Sequence, residues 1–146
     1  MSLMPGHIFW RDDALPFIEA RSVRDGRGVC YAPHSHETFS IGAILDGCCT
    51  YTNRDKREQI GVGTVVLMNP GAVHACNPIR DEPWAYRMLY WDTAWVARVQ
   101  QELTGRDEGF RPFAPTSTRN ARLYRELNRF YDLLVEPQID ALEKHE

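Results

Sequence analysis

The sequence has no excess of basic residues and no long apolar run, and each absence excludes a class of protein. Its formal net charge is −3 over 146 residues, and its arginines are scattered among acidic residues. Nucleic-acid-binding modules usually carry a basic face, so we expect this chain to bind DNA poorly by itself. No apolar segment reaches the roughly 20 residues that a membrane-spanning helix needs. We therefore expect a protein without a membrane partner.

Cysteine is scarce and lacks the spacing of metal-binding motifs. The four cysteines are Cys30, Cys48, Cys49 and Cys76. No pair has the C-x-x-C spacing of a zinc knuckle, and the start of the chain has no cationic and apolar leader. We expect reduced thiols and a cytoplasmic location. The sequence also lacks a nucleophile elbow, a phosphate-binding loop and a dinucleotide fingerprint, which leaves nucleophilic and nucleotide chemistry without support.

Between about residue 21 and residue 92 the sequence predicts short β-strands. Residues 38–45 are rich in strand-forming residues and end at Asp46-Gly47, a strong hairpin signal, after which residues 48–52 return as a partner strand. An aromatic strand is predicted over residues 84–91. Short strands separated by turn residues are typical of an all-β barrel or sandwich.

After residue 92 the apolar period changes to that of α-helices. Trp95, Val99 and Leu103 recur four residues apart, and Gly105 is a natural helix stop. A second helix is predicted after the N-cap candidates at residues 116–118. Its apolar stripe consists of Leu123, Leu127, Phe130 and Leu134. Two interpretations of the stripe stay open: it packs on the barrel, or it pairs with a second copy of the chain.

Three histidines have positions that predict a shared site. His34 and His36 are two residues apart, so in a strand both imidazoles lie on one face. His74 follows the turn Asn69-Pro70-Gly71 and is expected opposite them across a small barrel. Three converging imidazoles suit a divalent metal such as zinc, nickel or iron. They also suit a polar pocket for a small anion or sugar.

Strand alternation supplies further candidate ligand-binding residues. If the face with the histidines looks inward, Thr38 and Ser40 look inward as well. Tyr86 and Arg87 lie on opposite faces of the last strand, and either face can be the inner one. Tyr86 would supply a stacking surface and a hydroxyl, whereas Arg87 would supply a fork for a ligand carboxylate. A structural ion pair is the alternative for Arg87.

The motifs, taken in order, resemble a known family. They are Pro33-His34-Ser35-His36-Glu37, Ile41-Gly42, Leu45-Asp46-Gly47, Gly63, Leu67-Met68-Asn69-Pro70-Gly71-Ala72-Val73-His74 and Tyr86-Arg87-Met88-Leu89-Tyr90. The sequence is similar to the N-terminal effector domain of AraC-type transcriptional regulators. The resemblance implies a mostly β fold with C-terminal helices: a cupin-like barrel, also called a double-stranded β-helix or jelly roll, followed by two helices.

The resemblance also implies a division of the chain. Residues 1–20 are expected to form an N-terminal arm that folds over the barrel mouth, residues 21–92 the barrel, and residues 93–146 a helical dimerisation segment. The helix-turn-helix domain that binds DNA in this family is expected to be absent from this chain.

The first hypothesis is therefore a sensor without enzymatic activity and without a required cofactor. A small-molecule effector would bind in the barrel, and a homodimer would pair through the four stripe residues of the second helix. DNA would be contacted only through the absent domain. The expected ligand-binding residues are His34, His36, Thr38, Ser40, His74, Tyr86 and Arg87.

The second hypothesis is a small metal-dependent cupin enzyme, such as a dioxygenase or an isomerase. His34, His36 and His74 would hold its metal. Metal-binding cupins carry a glutamate a few residues after the histidine pair, where this sequence has Ser40 or Ile41. The missing carboxylate favours the sensor.

Overall fold

Nine β-strands and two α-helices make up the computed structural model over the residues that it describes, 7–28, 37–80 and 82–136. The strands are β1 (His7–Arg11), β2 (Ile18–Val23), β3 (Phe39–Asp46), β4 (Cys48–Asn53), β5 (Lys56–Gly61), β6 (Val65–Met68), β7 (His74–Pro78), β8 (Ala85–Trp91) and β9 (Ser117–Thr118). The helices are α1 (Thr93–Thr104) and α2 (Ala121–Val135), and a 3-10 turn spans Gly26–Gly28.

The strands pair antiparallel in two sheets. A six-stranded sheet has the order β1-β2-β8-β3-β6-β9, and a three-stranded sheet has the order β5-β4-β7. Side chains from both sheets meet in one core, so the sheets lie face to face. On one side the Ser117 hydroxyl of β9 donates to the Glu58 carboxylate of β5, which links the edges of the two sheets. The predicted β-rich fold with two C-terminal helices is confirmed.

The chain turns at Asp46-Gly47, as the sequence indicates, but β3 and β4 do not form the predicted hairpin. β3 pairs with β6 and β8, whereas β4 pairs with β5 and β7, so the turn joins two sheets and the predicted strand pairing is wrong. Gly47 has φ 69°, a left-handed conformation that suits glycine. A Cβ atom at this position would lie 2.4 Å from the Pro83 carbonyl oxygen, so no other residue fits. The Asp46 carboxylate also accepts a hydrogen bond from the Gly47 N–H at 2.9 Å. The turn thereby ends β3 and takes the chain from the six-stranded sheet to the three-stranded sheet.

The six-stranded sheet is covered on both faces. Its inner face and the three-stranded sheet enclose the inner core, formed by Val23, Ile44, Cys49, Tyr51, Ile60, Val66, Met68, Trp84, Tyr86 and Met88. Its outer face packs against the helices in the outer core, formed by Leu15, Ile18, Ala20, Phe39, Ala43, Val65, Leu67, Leu89, Val96, Leu127, Tyr131 and Leu134. Alternation along each strand divides its side chains between these two cores.

The N-terminal region is part of the sheet, which corrects the predicted division at residue 20. β2 pairs with β8 from Ile18↔Trp91 to Val23↔Tyr86, so the predicted boundary falls inside a strand. β1 pairs with β2 in turn. The physical reason is that Ile18 and Ala20 alternate into the outer core, where burial of their side chains holds the strand. The barrel therefore begins earlier than expected, and residues 7–23 do not form a separate arm.

Helix α1 confirms its prediction, whereas the start of α2 differs from it. The carboxylate of Asp92 caps α1, and Gly105 ends it with φ 72°. Asn120 caps α2 by accepting from the Leu123 N–H. The predicted caps at residues 116–118 fail because Ser117 and Thr118 pair with β6 as a short strand.

The apolar stripe of α2 packs mainly on the sheet. Leu127 and Leu134 are buried in the outer core, so they are not available to a second copy of the chain, and their assignment to a dimer interface is corrected. Phe130 stacks on Trp91 with ring centroids 5.7 Å apart. Leu123 is 36% exposed. In the described part of the chain, neither helix is long and apolar enough to cross a membrane.

Candidate functional site

The barrel interior is apolar at one end and polar at the other. Trp84 and Tyr86 stack at 4.7 Å at the apolar end, where Val23 and Ile44 pack beside them. Tyr86 is thus on the inner face of β8 and belongs to the apolar end. At the opposite end four polar side chains are buried: Ser40, Tyr51, Asn53 and His74. We call these four residues the polar end of the barrel.

Strand register brings the residues of the polar end together. Ser40 lies at the start of β3, opposite Met68 of β6 and Tyr90 of β8. In the other sheet, Asn53 at the end of β4 lies directly opposite His74 at the start of β7. Directly opposed residues of an antiparallel pair have Cβ atoms roughly 5 Å apart. Each sheet therefore contributes polar side chains at the same end of the barrel.

Hydrogen bonds to Leu67 connect the two sheets at this end. The Asn53 amide nitrogen donates to the Tyr51 hydroxyl at 2.7 Å and to the Leu67 carbonyl at 3.3 Å. The Tyr51 hydroxyl donates to the same carbonyl at 3.2 Å. Leu67 is the neighbour of Met68, which places Asn53 close to the Ser40 row of the large sheet. Burial raises the pKa of Tyr51, so its hydroxyl stays protonated and available as a donor.

His74 is oriented by its own turn. Its Nδ1 lies 3.0 Å from the Ala72 carbonyl oxygen, which can only accept a hydrogen bond. The proton therefore belongs on Nδ1, and Nε2 is the acceptor nitrogen. This arrangement is typical of histidines that present Nε2 to a ligand or metal, because the backbone contact fixes both tautomer and ring orientation.

Two buried oxygen atoms of the polar end have no hydrogen-bond partner among the residues described. They are Ser40 Oγ and Asn53 Oδ1, and Ser40 is fully buried. The Trp84 indole nitrogen also lacks a partner within those ranges, but it lies at the apolar end beside Gly26. An unsatisfied buried polar atom costs about 1–3 kcal/mol. The polar end therefore has hydrogen-bonding capacity that the described protein atoms leave unused.

Arg87 lies on the outer face of the sheet, which corrects its assignment to the barrel interior. Its guanidinium is 4.6 Å from the centre of the Tyr131 ring and 2.9 Å from the Asp132 carboxylate, both on α2. A weaker contact of 3.4 Å joins it to Asn128. The reason is strand alternation: Tyr86 and Met88 occupy the inner face, so Arg87 between them faces the helix.

The predicted histidine triad is described only in part. His34 and His36 lie outside the described residues, and Thr38 is half-buried just before β3. Within the described ranges, no group of three His, Cys, Asp or Glu side chains could hold a metal ion. His74 alone of the three predicted ligands is described, and its Nδ1 contacts the Ala72 carbonyl oxygen.

The sequence pattern missed two residues of the polar end, Tyr51 and Asn53. Residues 53–56 have turn composition, and Asn53 is nevertheless the last residue of β4 with its side chain almost fully buried. The signal that identifies both residues is the alternation Cys49, Tyr51, Asn53, which assigns all three to one face once Cys49 is buried.

Comparisons with known proteins agree with this fold. A family model described as the AraC-like ligand binding domain matches residues 18–145. No curated protein matches the chain. A cupin protein from Bacteroides fragilis is 20% identical, with a TM-score of 0.52 over 63% of this chain and 81% of its own. A cupin-like protein from Thermotoga maritima is 22% identical, with a TM-score of 0.52 over 59% of this chain and 67% of its own.

Enzymes also occur among the similar structures. Oxalate decarboxylase from Bacillus subtilis is 13% identical, with a TM-score of 0.45 over 70% of this chain and 40% of its own. That similarity is too low to indicate an activity for this chain. The family match covers most of the sequence, and the cupin structures have the same fold. The chain therefore belongs to the AraC-like ligand binding domain family.

Proposed function

We propose that this chain is the effector-sensing domain of a transcriptional regulator and that it binds a small polar metabolite at the polar end of the barrel. The family match supports a ligand-sensing regulatory role. In this proposal the chain needs no cofactor, catalyses no reaction and acts in the cytoplasm. DNA is bound by a separate domain of the intact regulator.

The observation that carries the proposal is the pair of unpartnered oxygens, Ser40 Oγ and Asn53 Oδ1. Native proteins leave few buried polar atoms without a partner, because each one weakens the fold. Hydroxyl or amino groups on a ligand would supply the hydrogen-bond donors that these two buried oxygens lack. Such sites combine an apolar body with a few convergent polar groups, which is the composition of this barrel interior.

A thermal-shift screen followed by a variant tests the proposal. The panel contains sugars, amino acids and aromatic acids, because a ligand that binds only the folded chain raises its melting temperature. We expect Ser40→Ala to abolish the shift caused by the strongest compound while leaving the unliganded melting temperature unchanged or higher. Thr50→Ala, on the outward face of β4, is the matched control and should keep the shift. A full shift in Ser40→Ala contradicts the proposal.

Contacts on the two faces of the same strands suggest how binding is transmitted. β3 carries Ser40 on its inner face, and its Ile44 carbonyl accepts a hydrogen bond of 2.6 Å from the Tyr124 hydroxyl of α2. β8 holds α2 through the ion pair between Arg87 and Asp132. A ligand that prefers one arrangement of these strands shifts the population of α2 positions. In the intact regulator that shift would change how paired DNA-binding domains meet their half-sites.

Pairing of two chains is proposed through the exposed flank of α2. Leu123 and Leu133 are 36% and 43% exposed, whereas Leu127 and Leu134 are buried against the sheet. We expect the double variant Leu123→Glu, Leu133→Glu to sediment as a folded monomer, whereas the wild-type chain sediments as a dimer. Leu103→Glu, on the exposed side of α1, is the control and should leave the dimer intact. A wild-type monomer, or a dimer in the double variant, contradicts this interface.

A second role as a metal-binding domain is favoured by the orientation of His74. Its backbone contact presents Nε2, and His34 and His36 would complete the donor set for zinc, nickel or iron. A bound ion would cross-link the barrel and polarise a coordinated ligand oxygen. Elemental analysis should find metal in the wild-type chain and in His7→Gln, but none in His74→Gln. Wild-type protein without metal after loading and desalting contradicts this role.

A further inference from the structure

Arg21 occupies the inner face of the six-stranded sheet, where the function proposed above does not use it. Arg21 is two residues before Val23 on β2, so both side chains lie on the face of the inner core. It lies opposite Met88 of β8. The Met88 sulfur leans over Gly42 of β3, since a Cβ atom at Gly42 would lie 2.6 Å from it. Arg21 is therefore a cation on the same face as the ligand-binding end, one register row from Tyr90 and Ser40.

Among the described residues, Arg21 has no counter-ion for its charge. Its guanidinium lies 5.1 Å from the centre of the Phe9 ring, and one terminal nitrogen is 3.1 Å from His7 Nδ1. Its Nε is buried and has no hydrogen-bond partner within the described ranges. No ion pair of the described residues includes Arg21. Glu19 lies on the same face of β2, opposite Tyr90, and its carboxylate is 3.9 Å from Arg11.

His7 accepts a hydrogen bond from Arg21 without balancing its charge. The imidazole is buried, and burial, followed by the positive charge of Arg21, lowers the pKa of His7. His7 is therefore neutral at physiological pH, and its Nδ1 acts as the acceptor. The histidine and the Phe9 ring hold the guanidinium in place, which leaves its remaining donors for another group.

We infer that Arg21 is the anion-recognising part of the effector site and that the effector carries an oxyanion, a carboxylate or a phosphate. The inference rests on the proposed sensing function. A guanidinium presents parallel N–H donors that match either group, and charge-assisted hydrogen bonds are about twice as strong as neutral ones. A partly buried charge without a counter-ion weakens the fold, and an anionic ligand removes that cost.

The spacing of the strands suits a small ligand that joins the two parts of the site. β8 separates β2 from β3, so their backbones lie about 10 Å apart at the usual spacing of neighbouring strands. The Arg21 side chain covers part of that distance. A compound the size of an aromatic acid or a sugar phosphate is therefore long enough to span from the Arg21 guanidinium to the Ser40 hydroxyl.

Pairs of compounds with the same shape, one an oxyanion and the other its neutral amide, test this inference. The side-chain Nε–H resonance of Arg21 is followed by NMR during titration with benzoate, benzamide, succinate, succinamide, inorganic phosphate and glucose 6-phosphate at constant ionic strength. We expect an oxyanion to move this resonance at millimolar concentration, and its amide counterpart to leave it unchanged. Arg21→Gln should weaken binding of that oxyanion about tenfold or more. Arg11→Gln removes the same charge from an exposed site and should have no effect.

The outcomes separate this inference from the proposed function. Equal binding of benzoate and benzamide, unchanged affinity in Arg21→Gln, or no oxyanion moving the resonance at 50 mM (roughly tenfold above the weakest expected fragment affinity) overturns the anion site. If neutral compounds still bind and Ser40→Ala abolishes their binding, the proposed sensing function is supported without the anion site. If neither Arg21→Gln nor Ser40→Ala changes the binding of any compound, the proposed sensing function is contradicted as well. A carboxylate preference over phosphate, or the reverse, identifies which oxyanion the effector carries.

Discussion

Two arginines on neighbouring strands of one sheet have opposite surroundings. Arg87 of β8 faces α2, where the Asp132 carboxylate balances its charge and the Tyr131 ring covers it. Arg21 of β2 faces inward and contacts a neutral histidine and a phenylalanine ring. Both leave Nε without a partner in the described part of the chain, so the counter-ion is what distinguishes them. The comparison teaches that the outer face satisfies its arginine within the chain, whereas the inner face does not do so within the described residues, where we propose that a ligand binds.

The same difference separates the rest of the two faces. The outer face buries large apolar groups such as Leu89 and Leu134 beneath the helices. The inner face is apolar around Tyr86 but ends in Ser40 and Asn53, whose oxygens lack partners within the described ranges. The outer face stabilises the fold. The inner face has buried oxygens that remain available to a ligand, and their missing hydrogen bonds lower the stability of the fold.

The largest expected effect concerns the outer face. Leu134 is 1% exposed in the outer core, so Leu134→Ala should lower the free energy of unfolding by about 3 kcal/mol. Its neighbour Leu133 is 43% exposed, and Leu133→Ala should cost less than about 1 kcal/mol. Urea denaturation measures both. Equal losses would show that α2 does not pack on the sheet as described.

The two arginines should differ under the same substitution. Arg87→Gln removes an ion pair and a cation–π contact, so it should cost about 1–2 kcal/mol of unfolding free energy, with solvent exposure of Asp132 limiting the loss. Arg21→Gln should stay within about 0.5 kcal/mol of the wild type or stabilise the chain. A larger loss in Arg21→Gln than in Arg87→Gln would reverse the comparison.

Ser40→Ala should change stability less than a typical core substitution. The hydroxyl has no described partner, so its removal should leave the unfolding free energy within about 1 kcal/mol of the wild type or raise it. Thermal denaturation of the unliganded chain provides the measurement. A loss above about 2 kcal/mol would mean that the hydroxyl already has a structural partner.

The smallest expected effect is a dependence on pH through His7. Its pKa is 6.5 in the unfolded chain and is lowered on folding, first by burial and then by Arg21. The unfolded chain therefore takes up a proton more readily, and stability is lost as the pH falls from 6.5 toward the folded pKa. Urea midpoints at pH 7.5 and pH 5.5 should differ less in His7→Gln than in the wild type. An identical difference in both proteins would mean that His7 does not cause the pH dependence.

The sequence predicts the strands and α1 well because their signals are local. The turn at Asp46-Gly47 ends β3, and Gly105 ends α1 where the apolar period stops. The predicted pairing of β3 with β4 is wrong, because which strands pair depends on contacts between distant segments. Pairing of distant segments is not local, so the sheet membership of β1 and β2 was not predicted. The cap at Asn120 was missed for the same reason, because pairing with β6 extends residues 117–118 as a strand.

The residues of the candidate site could be predicted only where the sequence also indicates which face of a strand points inward. The sequence identified Ser40, His74 and Tyr86, and the structure brings their side chains to the inner face. It left the face of β8 undecided, since Arg87 and Tyr86 both suit a pocket by composition alone. Asn53 was missed because its segment has a turn composition. Arg21 was missed because β2 joins the sheet by pairing with β8, a strand distant in the sequence.

The central claim, that a ligand completes the polar end of the barrel, is tested most directly by calorimetric titration. The strongest compound of the panel is titrated into the wild-type chain, into Asn53→Leu and into Asn128→Leu, which alters α2 on the outer face. We predict an affinity loss of about tenfold or more in Asn53→Leu and none in Asn128→Leu. Equal affinity in all three proteins would contradict the account.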